Sequence, residues 1–318
     1  GYTYAMQNIG KVRNSGWEFS FESTNIKTPV FAWKSGFNIS FNRNKVLKLN
    51  NDQNNRLDFA RFQTTYNNTP MYITEVGKPM GLFYGFIFDG IYQTSDFRNL
   101  TEGIYVLNPG VADNGSSDVS PGVIKYKDIN GDGTINDYDR VILGSPHPKH
   151  TGGFTNDFSY STRRIGTFTL NVLLQWSYGN KVFNANRLIF EGNGTAQVGI
   201  NQYKSYEERW TPDHPSNTLF KTKGAGPQGF ISDRTLEDGS YLRLKTLELG
   251  YDLPQRWVKK IKVRSINLNI AAQNLFTWTR YSGLDPEVSI LNSVLTSGFD
   301  FCAYPRAKTV TFGFRIRL

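Results

Sequence analysis

The sequence predicts an all-β chain, a transmembrane antiparallel β-barrel with long extracellular loops, on three observations. Long segments alternate apolar and polar residues with period two, which gives each strand two unlike faces. These segments exceed the five or six residues of a typical soluble strand and match the ~10-residue tilted strands of outer-membrane barrels. Short and long connections alternate strictly, as periplasmic turns and extracellular loops do in such barrels.

Taken in order, residues 13–26 put Trp17, Phe19 and Phe21 on one face and Glu18, Ser20 and Glu22 on the other. Residues 31–46 set Trp33, Phe37, Ile39 and Phe41 against Lys34, Asn38 and Asn42. Residues 154–163 align Phe154, Phe158 and Tyr160. Residues 167–178 oppose Phe168, Leu170, Val172, Leu174 and Trp176 to Thr169, Asn171 and Gln175. Residues 241–251 also read as a strand, with less clean faces. Residues 264–277 oppose Ile266, Leu268, Ile270 and Ala272 to Asn267, Asn269 and Gln273. The chain ends with Val310, Phe312, Phe314, Ile316 and Leu318 alternating with Thr311, Gly313, Arg315 and Arg317. The apolar faces are expected to meet lipid, with aromatic girdles toward the strand ends, and the polar faces to line a lumen. A soluble β-sandwich also alternates, but its strands are shorter and its loops less lopsided.

Short connections fall around 25–29, 163–166 and 253–263, and long ones at 47–153, 179–239 and 278–307. Counting back from a periplasmic C-terminus gives about seven spanning strands and an extracellular start at Gly1. Bacterial single-chain barrels have even strand numbers, so this wall is expected to be part of a larger barrel. The segment 81–93 reads as a further strand, assigned by parity to a surface hairpin in the first long loop. The chain opens on Gly1 with no leader pattern, as expected of a piece processed or cut from a longer protein.

Composition narrows the classes. Aromatics at 14% exclude intrinsic disorder, and no apolar run reaches the length of a spanning helix. The single cysteine, Cys302, excludes an internal disulfide and a CxxC zinc or redox site. Net charge is +9, but Lys and Arg are spread along the chain. The densest group, Lys259, Lys260, Lys262 and Arg264, is short, so no nucleic-acid partner is expected. There is no GxSxG elbow, HExxH, phosphate loop or general acid–base pair, and no enzyme activity is expected.

The sharpest local motif is DINGDGTINDYD at 128–139. It fits the calcium-loop template, with Asp128, Asn130 and Asp132 as side-chain ligands and Gly133 at the sharp turn. Thr134 would offer its carbonyl, Asn136 would act through water, and Asp139 would close the loop. No exit helix or second repeat follows, and an Asx- and Gly-rich turn without metal is the alternative. Ca2+ is the one cofactor considered, in a loop-ordering role. GAGPQG at 224–229 reads as a flexible loop, and HPKH, with His147 and His150, is not expected to hold metal. Tyr84, Tyr92, Trp278, Tyr281 and Tyr304 are candidates for stacking on a sugar or peptide. Their alternative is loop packing or a girdle position. Asp285 and Glu287 in LDPEV, and Arg306 in YPRAKT, are expected to shape their loop.

Several stretches together resemble the C-terminal barrel region of SusC-like (SusC/RagA-type) TonB-dependent outer-membrane transporters: GKPMGLFYGFIFDGIYQT (77–94), PGVIKYKDINGDGTINDYDRVILGSPHPK (121–149), GSYLRLKTLELGYDLP (239–254), QNLFTWTRYSGLDPEV (273–288) and AYPRAKTVTFGFRIRL (303–318). The resemblance implies the C-terminal part of a 22-stranded barrel in the outer membrane of a Gram-negative bacterium. It implies active uptake of oligosaccharides or peptides, a SusD-like surface lipoprotein as partner, and TonB coupling through an N-terminal part. The plug and TonB box have no counterpart here. Thr311, Gly313, Ile316 and Leu318 resemble the terminal strand signal of outer-membrane proteins, with Leu318 in place of the usual aromatic. Competing readings are a passive porin-like barrel and a secreted calcium-dependent carbohydrate-binding β-sandwich.

Overall fold

The computed structural model describes residues 10–49, 56–59, 70–101, 104–116, 119–192, 201–227, 231–291 and 293–318. Gly1 and the end of the GAGPQG stretch lie outside these residues. The largest unit is a seven-stranded sheet, here called the wall. Its strands are β1 (Lys11–Lys27), β2 (Phe31–Lys48), β3 (His150–Thr162), β4 (Gly166–Tyr178), β5 (Tyr241–Asp252), β6 (Ser265–Thr279) and β7 (Thr309–Arg317). Each pairs antiparallel with its neighbour in chain order. Among the described residues, β1 and β7 are paired along one edge only.

Register turns the separate alternations into two continuous faces. Phe21, Phe37, Phe154, Leu174, Leu244 and Phe276 lie side by side across six strands. Phe31, Tyr160, Phe168, Tyr251, Leu268 and Phe314 form a second row. On the other face, Lys34, Asp157, Asn171 and Glu248 are neighbours, and Asn171 Nδ2 donates to Asp157 Oδ1 at 2.6 Å. A one-residue slip would mix these faces, so the pattern itself fixes the register.

The unclean faces of 241–251 have a local cause. A bulge at Lys245 shifts the pairing between Leu244 and Thr246. The apolar set therefore passes from Leu242 and Leu244 to Leu247, Leu249 and Tyr251. One extra residue changes which parity faces the apolar side.

Nothing covers the apolar face among the described residues. Trp17 is 74% exposed, and Phe312 and Phe314 are each 76% exposed. The three buried hydrophobic clusters contain no residue of this face. The stretch from Phe168 to Tyr178 runs roughly 33 Å along β4. Tilted by about 40°, it would rise about 25 Å, the height of an outer-membrane apolar band. Aromatics crowd both ends of the band. Phe168 stacks on Tyr251 at 4.4 Å near the short connections, and His150 stacks on Tyr178 at 5.0 Å near the long ones.

The three long connections fold together at one end of the wall into a crown. The first contributes strands Arg56–Phe59, Tyr72–Glu75, Leu82–Gly85 and Val141–Gly144, which form one sheet. The expected strand at 81–93 is instead two four-residue strands, Leu82–Gly85 and Phe88–Ile91, which belong to different sheets. Both are drawn into buried cores rather than left as a surface hairpin. The second connection supplies Lys181–Asn184, which pairs in parallel with Phe299–Asp300 of the third. One buried cluster joins Met71, Tyr72 and Phe83 of the first connection, Phe183, Ile189 and Ile231 of the second, and Phe299 of the third. Another joins Tyr92, Ile124 and Tyr126 to Trp210 and Phe220.

Candidate functional site

A cavity of about 890 Å3 opens in the crown beside helix α1 (Ala185–Phe190). The helix starts where it does because the Asn184 side chain accepts from Arg187 N at 3.3 Å. One turn later the i, i+4 spacing brings Arg187 to Glu191, 3.0 Å apart. Arg187 also reaches Glu237 at 3.2 Å, and Arg234 reaches Glu191 at 2.7 Å. Glu237 accepts from the Ser282 N–H and O–H, each at 2.7 Å, and from Asn184 Nδ2 at 3.0 Å. Burial would raise the Glu237 carboxyl, but these donors hold it below its ordinary value. Tyr281 donates to Asp300 Oδ2 at 2.5 Å, and burial with that carboxylate pushes its hydroxyl well up.

Both arginines beside this cavity are thus answered by Glu191 and Glu237, and Asp300 is answered by the Tyr281 hydroxyl. What remains open to a ligand includes the ring of Phe190, the Tyr203 side chain and the amides of Asn201 and Gln202. Gln202 Oε1 has no hydrogen-bond partner among the described residues. Such a lining suits a polar, uncharged group laid against aromatic carbon.

A second device fixes the crown to the wall. Arg243 of β5 is only 1% exposed and donates to Asp285 Oδ1 at 2.5 Å, Glu287 Oε2 at 3.0 Å and Thr277 Oγ1 at 3.0 Å. Its guanidinium lies 5.0 Å over the Tyr241 ring. Arg306 then bonds Glu287 at 2.7 Å, and its N–H reaches Asp285. LDPEV, and through its two carboxylates YPRAKT, are thus tied to one wall arginine. Against the effect of burial, the N–H of Glu287 and the Arg243 guanidinium hold the Asp285 carboxyl below its ordinary value.

The aromatic candidates are not brought together. Tyr84 is buried under the Arg140 guanidinium, 4.4 Å away. Tyr92 is buried and donates to Ala112 O at 2.6 Å. Tyr281 is the buried partner of Asp300 beside the α1 cavity. Trp278 stands on the apolar face of the wall beside Leu242 and stacks with Phe276 at 6.2 Å. Tyr304 is 92% exposed in the third connection. Sequence reasoning missed Asn201, Gln202 and Tyr203, and it missed the wall arginine, Arg243. The Arg187/Glu191 spacing was the one local signal.

The 128–139 loop is closed by its own backbone. Asp128 accepts from Gly131 N at 2.7 Å and Gly133 N at 2.8 Å, and Asp132 accepts from Thr134 N at 2.9 Å. The Thr134 N–H, with the Asn130 side chain, holds the exposed Asp132 carboxyl below its ordinary value. Asn130 donates to Asp132 Oδ2 at 2.9 Å, and Asn136 Nδ2 to Thr134 O at 3.2 Å. Asp139 is buried, with Ile129 N and Asn136 N each 2.8 Å from one of its oxygens. Among the described residues no group of three or more His, Cys, Asp or Glu side chains is placed to hold a metal. Asp128, Asn130, Asp132 and the Thr134 carbonyl sit on the exposed side of the loop; Asp139 does not join them.

No family model matches the chain. TonB-dependent receptor P3 of Formosa agariphila is 34% identical over 322 residues, covering all of this chain and 30% of the receptor. TonB-dependent receptor SusC of Bacteroides thetaiotaomicron is 27% identical over 318 residues, covering 98% of this chain and 27% of SusC. The RagAB peptide importer in its closed-closed state superposes with a TM-score of 0.71 at 23% identity, covering 98% of this chain and 30% of that chain. The chain matches the C-terminal barrel region of SusC-like TonB-dependent receptors. It spans about 30% of the length of the curated relatives it matches. The wall is thus part of an outer-membrane β-barrel, and its place is the outer membrane of a Gram-negative cell.

Proposed function

We propose that the chain is the C-terminal wall and outer crown of an importer that carries oligosaccharides or peptides across the outer membrane. The observation that carries this reading is the uncovered apolar face, continuous over all seven strands, with three long connections folded together at one end. The seven strands span the bilayer, their apolar side meets lipid, and the polar side lines a lumen closed by further strands of the same protein. The crown stands outside, where the α1 cavity receives part of the solute. A SusD-like lipoprotein caps the crown, and TonB drives transport through the N-terminal part of the protein. The function is transport rather than catalysis. The relatives are named receptors and an importer, and the cavity's charged groups serve one another rather than a reacting atom.

The uncovered face argues against a secreted sandwich, in which a second sheet would lie on it. Ca2+ is proposed as a weak, loop-ordering ligand at 128–139, held by Asp128, Asn130, Asp132 and Thr134. The importer reading is tested by growth of cells that carry the full-length protein on its solute as sole nutrient. Deleting the TonB-coupling region should abolish growth while leaving the barrel in the membrane. Undiminished growth would favour the passive porin.

A further inference from the structure

A second cavity, of about 540 Å3, lies between residues 209–222 and the hairpin formed by Phe97–Thr101 and Ile104–Leu107. Its walls include Thr94, Tyr105, Arg209, Trp210, Lys221 and Thr222. The contrast with the α1 cavity is one of charge. There, each cation near the rim meets a carboxylate. Here no carboxylate lines the space, and among the described residues neither Arg209 nor Lys221 forms an ion pair.

Both cations are held in place yet keep donors free. Lys221 Nζ spends one of its three donors on Ser120 Oγ at 2.7 Å. Arg209 Nη1 donates to Tyr206 O at 3.3 Å while its guanidinium lies 4.7 Å over the Tyr206 ring. Four of its five N–H groups make no other bond to the described residues. Trp210 is buried and firmly set: its indole N–H donates to Gln93 Oε1 at 3.0 Å, and its backbone N–H to Leu219 O at 2.9 Å. Burial pushes the Lys221 ammonium below its ordinary value, with no acid to offset it. A partly desolvated cation without a counter-charge is unfavourable, and an anionic ligand relieves it.

We propose that this cavity binds a carboxylate group borne by the imported solute, with Lys221 and Arg209 as charged donors and Trp210 and Tyr105 as the apolar wall. The inference deepens the importer reading, on which it relies only for the ligand's being cargo. The carboxylate has two sources, a uronic acid residue of a glycan or the C-terminus of a peptide.

The test is calorimetric titration of the purified full-length protein in detergent with two matched pairs. One pair is digalacturonic acid and its methyl ester, and the other is acetyl-trialanine and its C-terminal amide. In at least one pair the acid should bind roughly tenfold tighter than its neutral partner. Lys221→Met and Arg209→Gln should each remove roughly tenfold of that affinity and leave the neutral compound unchanged. The pair that responds identifies the source. Equal binding within both pairs, no saturation by either acid up to about 10 mM, or acid binding undiminished in folded variants would overturn the proposal. The acid-to-neutral comparison uses unmodified protein, so a misfolded variant does not blunt it. Lost uptake with retained acid preference would count against the importer reading alone, and intact uptake without that preference against this inference alone.

Discussion

In the wall, Phe312 and Phe314 lie bare on a sheet that no described residue covers; in the crown, Phe83 and Phe183 are shut into a cluster drawn from all three long connections. The two regions solve opposite solvent problems. The wall needs lipid, because a soluble chain does not leave so broad an apolar face in water. The crown needs water outside and a dry interior, so its rings close on one another. Polar groups follow the same division. The wall exposes its Asn, Thr and Lys on one side, whereas the crown spends Arg187, Arg234, Glu191 and Glu237 on each other.

The comparison can be broken at the joint between the regions, where the largest effect is expected. Arg243→Met leaves the Asp285 and Glu287 carboxylates without their buried partner, and losing one side of a buried pair typically costs about 3–5 kcal/mol. The third connection should loosen, read as faster proteolysis within 280–308 of the full-length protein, while the strands stay in the membrane. Unchanged cleavage would show that the clamp does not hold the crown. The same clamp should respond to pH with a definite sign. The Asp285 carboxyl is held below its ordinary value of 3.8, so its stabilising effect is complete above that pH. The effect should fade as pH falls below 3.8. Asp285→Asn should flatten that fall in the proteolysis profile, and an unaltered profile would count against this assignment.

The wall itself is probed by charge. Val172 is the seventh residue of β4, at mid-band, and Val172→Arg should cost about 2–4 kcal/mol of barrel stability. Leu268 is the fourth residue of β6, nearer the short connections, so Leu268→Arg should cost less. Asn171→Arg, on the polar face, should be tolerated. Heat-modified mobility of the assembled barrel would rank the three. The opposite ranking would mean that the faces are misassigned.

The smallest effect should come from calcium. With Asp139 turned to backbone amides, affinity at 128–139 is expected in the range of about 10⁻⁴–10⁻³ M, as in extracellular modules. It should vanish in Asp132→Ala and leave the wall unaffected. Calcium titration of the full-length protein checks this, and a submicromolar constant would contradict it.

The wall was legible in the sequence because period-two alternation is a direct consequence of a two-sided sheet. Where alternation faltered, the cause was local. The bulge at Lys245 reverses parity within β5. Ser35 and Asn156 interrupt the apolar side of β2 and β3, but they face each other and are mutually satisfied. Asn156 Oδ1 accepts from Ser35 Oγ at 2.9 Å and from Trp33 Nε1 at 3.0 Å. The crown was not legible. Its contacts join residues tens to more than a hundred positions apart with no shared period, so nothing in the sequence links Arg243 to Glu287, or Trp210 to Gln93. The calcium template was visible as spacing, but the turn of Asp139 into the crown depends on backbone amides that spacing does not show.

The claim beneath all of this is that one side of the wall touches lipid and the other water. Single cysteines at positions 170–175 of β4, introduced with Cys302→Ser in the full-length protein, can be labelled in outer membranes with a membrane-impermeant maleimide under conditions that open the lumen. The account expects Asn171, Leu173 and Gln175 to label and Leu170, Val172 and Leu174 to be protected. Uniform labelling, or protection with the opposite parity, would contradict it.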